Sequence, residues 1–328
     1  MQRRSLLLVG ASAGLLSVPA VLRAQPGDAW PSRSVRIITP YAPGGTSDII
    51  VRPIAERLER AFGRPFVVEN RAGAGGSVGV AAGAAERPDG HTLLVANTGP
   101  LAVAPSLFRN LAYDPARSFT YIAMFGGAPI VCAVKADGPI RGLDDYLAAA
   151  KAKPEAVSFG SSGIGSAGHL TGVLFGLEAG AKMLHIPYRG AGEAQQAVLS
   201  GDTTSLWDTS GANAGAIRAG TLRGLAVSSA ERVAALPGVS TLKEIGWPGV
   251  VSTNWFLLAA PAGLEPAIGA RLAEAVHGAL AEPAVRERLD AAGVVSLGAM
   301  APSAIAAFVA EETARWAPVV RASGAAAG

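Results

Sequence analysis

The chain has 328 residues, 50% of them hydrophobic, with 28 Lys and Arg against 25 Asp and Glu. That length holds two ordinary domains, each with its own core. The near balance of charge leaves no basic patch for nucleic acid or for an anionic membrane surface, and excludes both as partners.

At the N-terminus, Arg3 and Arg4 precede an uncharged apolar stretch from Leu6 to Leu22, and Leu22-Arg23-Ala24 ends on a small residue. This is the pattern of a cleaved secretory signal peptide, so residues 1–24 are set apart and the mature chain is expected to begin near Gln25. Arg3-Arg4 followed by Ser5-Leu6-Leu7 also resembles a twin-arginine export signal. The leader carries three arginines and no acid, which leaves 25 residues of each sign in the mature chain. Beyond the leader no apolar run reaches the roughly 18 residues of a membrane helix, so the mature protein is expected to be soluble. The one cysteine, Cys132, lies in the apolar run Ile130–Val134 and reads as a small core residue.

Short apolar runs alternate with amphipathic ones from Pro31 onward. Val35–Ile38 reads as a strand; Ile50, Ile54, Leu58 and Ala61 mark a helical face ending at Gly63; Phe66–Val68 is the next strand. A Gly/Ala-rich helix from about Gly76 to Glu86 follows, then a turn at Pro88-Asp89-Gly90 and a strand at Thr92–Ala96. With Thr46 as N-cap, Pro53 falls inside the first helix; either the helix proper begins there or it kinks. After Phe119 the pattern repeats, with strands at Ile130–Val134, Val157–Phe159, Met183–Ile186, Ser205–Trp207 and Leu222–Val227. Helices fall at Leu143–Ala152, Ala167–Ala179, Glu193–Ser200 and Asn213–Ala219. A strand at Trp255–Ala260 and helices at Pro266–Ala281 and from Pro302 to about Arg321 complete the chain. The alternation predicts two α/β units, each a mostly parallel sheet flanked by helices.

Ligands of open α/β sheets bind at the carboxyl ends of strands, where loops lead into helix N-termini. Three such loops are rich in Gly, Ser and Thr: Tyr41, Pro43, Gly44, Gly45, Thr46, Ser47 and Asp48 in the first, Thr98 in the second, and Ser161, Ser162, Gly165 and Ser166 in the third. Glycines let backbone approach a ligand, and free helix-start N–H groups attract anions. A tight turn with Thr46 as N-cap is the alternative for the first loop. Asp208 ends a buried strand and is expected to face the same cleft, or to cap the following helix.

Gly163-x-Gly165-x-x-Gly168 matches the dinucleotide fingerprint, yet no acidic residue ends the next strand, which runs into Pro187-Tyr188; no nicotinamide cofactor is expected. The four histidines lack metal-ligand spacing, and Ser162 and Ser166 each lack one flanking glycine of a Gly-x-Ser-x-Gly elbow.

The ordered motifs Pro43-Gly44-Gly45-Thr46-Ser47-Asp48, Val68-Glu69-Asn70-Arg71-x-Gly73-Ala74-Gly75-Gly76, Pro88-Asp89-Gly90-x-Thr92-Leu93-Leu94, Ser161-Ser162-Gly163-x-Gly165-Ser166-x-x-His169-Leu170, Pro187-Tyr188-Arg189-Gly190 and Ala259-Ala260-Pro261-Ala262-Gly263 resemble the tripartite tricarboxylate transporter receptor family, also called Bug or TctC-type. The similarity runs from about Trp30 to Arg321. It implies a two-lobed periplasmic binding protein, type II-like, with lobes joined by crossing strands: residues 25–128 with 253–328, and residues 129–252. It further implies a monomer, with no cofactor and no enzymatic activity. The receptor would hold a small carboxylic acid in the interlobe cleft and hand it to membrane permease subunits. By the same resemblance the Pro43–Asp48 and Ser161–Ser166 loops present amides and hydroxyls to the carboxylate, with Thr98, His169 and Asp208 near the cleft. His91 stands where the family commonly has tyrosine, and Thr209 where it often has asparagine. A periplasmic enzyme acting on a small acid, or a ligand sensor on the same fold, are the competing readings.

Overall fold

The computed structural model describes residues 30–324; the expected leader lies outside them. The described chain opens with β1 (Val35–Thr39), α1 (Thr46–Phe62), β2 (Phe66–Asn70), α2 (Ser77–Ala84), β3 (Thr92–Asn97) and α3 (Ala104–Leu107). There follow β4 (Phe119–Lys135), α4 (Leu143–Ala152), β5 (Ser158–Ser161), α5 (Ala167–Ala179), β6 (Leu184–Pro187), α6 (Ala191–Ser200), β7 (Ser205–Thr209), α7 (Ser210–Arg218) and β8 (Leu222–Val227). The last run is β9 (Thr253–Pro261), α8 (Pro266–Ala281), α9 (Pro283–Ala291) and α10 (Pro302–Ser323).

Side chains alternate across the first sheet and fill two layers. Val35, Ile37, Leu93, Val95, Phe256 and Leu258 pack against α1, α8 and α9. Ile38, Leu94, Ala96, Trp255 and Leu257 face α2, α3 and α10. The period of two is what a sheet covered on both faces demands. In the second sheet Ile130, Cys132, Val134, Phe159 and Trp207 pack under α4 and α5, while Val131, Ala133 and Leu206 face the other way. Cys132 is fully buried, and burial pushes its thiol well above the usual range.

The strand order is β2-β1-β3-β9-β4-β7-β5-β6, with β8 also on β4. β1 pairs parallel with β2 and β3, and β5 parallel with β6 and β7. β9 and β4 run antiparallel between these groups. The 17-residue β4 joins the two lobes. Phe119–Pro129 pairs with β9, and Ile130–Val134 pairs with β7. The register slips between Met124 and Gly126, where Gly126 has φ +137°; glycine there lets the strand bend as it crosses.

Sequence reasoning found only the end of β4, since Gly126-Gly127 and Pro129 interrupt its β pattern, and it missed α3 and α9. Thr46 proves to be the first residue of α1, not its cap; Gly45 is the N-cap. Pro53 lies within α1, which runs unbroken through it. Among the described residues no helix is long and apolar enough to cross a membrane.

Candidate ligand-binding site

Four helix N-termini converge where the lobes face each other. The cleft is lined by Gly45, Thr46 and Ser47 at the start of α1, Ser166, Ala167 and Gly168 at α5, Ala191 at α6, and Asp208 and Thr209 leading into α7. Tyr41, Ser162, Asn254 and Phe256 complete it. First-turn N–H groups have no partner within their own helix and sit at the positive end of its dipole, so four of them aimed at one space favour an anion. The open space is about 20 Å³, room for roughly one water, because the lobes touch. The Thr46 and Thr209 hydroxyls hydrogen-bond across the cleft at 2.7 Å.

On the first lobe, the loop after β1 is held from behind. Asp48 is buried, and its Oδ2 accepts from the Gly44 N–H at 3.1 Å and from Arg52 Nη2 at 3.0 Å. Its Oδ1 accepts from Asn70 Nδ2 at 2.9 Å, which also donates to the Tyr41 carbonyl. The Tyr41 hydroxyl donates to the Gly75 carbonyl at 2.8 Å, and burial pushes its pKa upward. Asn97 donates to Asn254 Oδ1 at 2.9 Å, which fixes the Asn254 amide at the cleft. The Ser47 hydroxyl is buried in the cleft wall and has no partner among the described residues.

On the second lobe, Ser166 caps α5, its Oγ accepting from the His169 N–H at 3.2 Å. Ser161 Oγ pairs with His185 Nε2 at 2.7 Å, and the Gly165 N–H donates to His169 Nδ1 at 3.1 Å. The two imidazoles stack at 3.9 Å. Burial lowers His169 to about 4; burial, and then His169 itself, lower His185 to about 2. Both rings are neutral supports of the loop at physiological pH. Asp208 accepts from the Ser162 hydroxyl and from the Thr209 N–H, and burial raises its pKa. The glycines of the fingerprint are explained by packing. Gly163 and Gly165 have φ of +113° and +83°, and a Cβ on Gly168 would lie 2.1 Å from the Trp207 carbonyl.

A family model described as tripartite tricarboxylate transporter family receptor matches residues 50–325. The chain belongs to this family. It is 36% identical over 323 residues to Protein BugT of Bordetella pertussis, covering 98% of each chain. MatC from Rhodopseudomonas palustris with bound malate superposes with a TM-score of 0.83 at 31% identity, over 89% of this chain and 100% of that one. Rpa4515 from R. palustris with adipate gives a TM-score of 0.86 at 30% identity, over 90% of this chain and 98% of that one.

In this tripartite tricarboxylate receptor the sequence-derived residues divide into two groups. Tyr41, Gly45, Thr46, Ser47, Ser162, Ser166 and Asp208 line the cleft. Pro43, Gly44, Asp48, Thr98, Ser161, Gly165 and His169 do not: Asp48, Ser161 and His169 brace the loops, and Thr98 ties β9, accepting from the Trp255 N–H at 3.1 Å. Sequence reasoning missed Ala167, Gly168, Ala191, Asn254 and Phe256. Asn254 had one legible signal, an amide directly before a buried strand. Thr209 supplies the hydroxyl that meets Thr46.

Proposed function

We propose that this protein is a periplasmic receptor that holds a small organic acid between its lobes and delivers it to the permease subunits of a tripartite tricarboxylate-type transporter. The carboxylate sits against the first-turn N–H groups of α1 and α5, with the Ser47 hydroxyl as a further donor. One observation carries this: four helix N-termini and an unpartnered buried hydroxyl meet in a cleft with no Lys or Arg in its lining. Neutral donors hold an anion without the ion-pair attraction and bidentate fork of a guanidinium, and so permit release. MatC and Rpa4515 hold malate and adipate, which makes dicarboxylates the first candidates.

The family is one of receptors, and the histidines beside the cleft are engaged in loop support, which favours binding over turnover. The lobes comprise residues 25–128 with 253–328, and residues 129–252; the leader directs export to the periplasm. A cleft of about 20 Å³ is smaller than any such acid, so the lobes part to admit it and close around it. Calorimetric titration of the mature protein with malate, adipate, citrate, amino acids and aromatic acids tests the reading. At least one acid should give saturable binding with unchanged ligand recovered. Absence of binding across the series, or conversion of a bound acid, would overturn it.

A further inference from the structure

A second pocket lies between α8, α9 and residues 294–299, and it shares no lining residue with the cleft. It encloses about 230 Å³, against about 20 Å³ in the cleft; an apolar cavity of about 150 Å³ already accepts a benzene ring. Met124 and Phe125 of β4, Leu280 of α8, Leu289 of α9 and Val294 form its apolar wall.

Two nitrogen-bearing side chains, His277 and Arg286, are among the lining residues. His277 Nε2 is buried behind the pocket surface and hydrogen-bonds to nothing among the described residues, a condition that a ligand acceptor would relieve if the ring turned toward the pocket. Arg286 lines the same pocket and makes no ion pair among the described residues; the nearby acid Glu282 is already paired with Arg57. A guanidinium and an imidazole N–H beside an apolar wall match a carboxylate on an apolar body. Asp290, one helical turn beyond Arg286, also lines the pocket. It sets a limit on charge, since a second carboxylate on the ligand would face it.

The pocket also has a defined place in the fold. Val295 exchanges both backbone hydrogen bonds with Gly127 of β4, at 2.7 and 2.9 Å, where that strand bends toward the second lobe. An occupant therefore rests against the crossing strand and leaves the cleft free.

We infer that this pocket is a second small-molecule site, for an organic monocarboxylate with an aromatic or aliphatic body. Benzoate is the probe. Imidazole resonances of the mature protein are followed during titration, with H277Q assigning one signal among the four histidines. Benzoate should shift the His277 ring saturably while the rings of His169 and His185, beside the cleft, stay in place. Arg286→Ala, on an exposed side chain, should weaken that response about tenfold, as expected for losing one charge-assisted hydrogen bond. Terephthalate, with its second carboxylate, should leave His277 unmoved until Asp290→Asn removes the opposing charge. An unmoved His277 ring, a response of equal strength in Arg286→Ala, or shifts confined to His169 and His185 would each overturn the proposal.

Discussion

Gly75→Ala tests whether lobe closure is what holds the ligand. A Cβ on Gly75 would lie 2.2 Å from the Ile164 carbonyl oxygen and 2.8 Å from Ser166 N, atoms of the opposite lobe. Ordinary contact begins near 3.4 Å, so the two loops would have to separate by more than about 1 Å. Backbone does not yield as a flexible side chain does, and the relief available is for the lobes to stay apart. The substitution also carries local strain, because Gly75 has φ +60°, a conformation that costs an L-residue about 1–2 kcal/mol. Gly63→Ala separates the two effects. Gly63 has φ +66° at the C-cap of α1, with nothing within 4 Å of its Cβ, so it suffers the strain without the collision. Denaturation should show a similar loss of about 1–2 kcal/mol in both variants. Titration with adipate or malate, whichever binds the parent protein, should show at least a tenfold loss of affinity in Gly75→Ala alone, since each 1.4 kcal/mol or so taken from the closed state is a factor of ten. Small-angle scattering should show no compaction in that variant. Equal affinity in the two variants would refute closure at the Gly75–Ile164 contact.

Ser47→Ala removes a buried hydroxyl with no partner, so denaturation should show no loss of stability while calorimetry shows ligand binding weakened by about 0.5–3 kcal/mol. Ser166→Ala should lose both, because its hydroxyl also caps α5 at a typical cost of about 1 kcal/mol; an intact melting temperature would argue against the cap. The stacked histidines have folded pKa values lowered to about 4 and about 2, so their contribution is complete above the unfolded value near 6.5 and is lost as pH falls below it. Denaturation midpoints from about pH 7 to pH 4 should drop, and less so in His185→Asn. Asp208 has the opposite sign: its raised folded pKa gives stability that is complete below about 3.8 and is lost as pH rises through the folded value. Asp208→Asn should therefore raise the melting temperature at neutral pH and, because Asp208 lines the cleft, reorder the preferred acids in calorimetry more than it weakens the best one. A uniform loss across acids would show that Asp208 grips the carboxylate.

The fold was largely legible because its strands are short, apolar and separated by turn residues, so the alternation of β and α survives in composition alone. The crossing strand was not. Gly126, Gly127 and Pro129 are there because β4 bends and changes partners, and those residues look like a loop when read locally. The antiparallel insertion of β9 beside β3 is likewise a long-range pairing with no local signature. At the site, Gly and Ser content marked two loops that line the cleft and one, at Thr98, that does not, and it did not show which side chains turn inward. Asp48 and Ser47 are neighbours in one motif, yet one carboxylate is tied to Gly44, Arg52 and Asn70 and the other side chain lines the cleft.

That division bears on how ligand choice arises in this receptor. The motifs that carry the family resemblance supply the shared task, bringing helix N-termini together around a carboxylate, and much of their content is bracing: Asp48 to Asn70, Ser161 to His185, Gly165 to His169. None of those bonds depends on what lies beyond the carboxylate. Beyond the helix starts, the cleft is lined by Thr209, Asn254, Phe256 and Asp208, and all four lie outside the ordered motifs. Selectivity arises when a site's fixed polar groups are matched or left unpaired by a particular ligand. In this cleft those groups are the Asn254 amide, held by Asn97, and the Asp208 carboxyl, held by Ser162 and Thr209. On the proposed reading the ligand's carboxylate is met by helix-start N–H groups and the Ser47 hydroxyl, and its other end by these side chains.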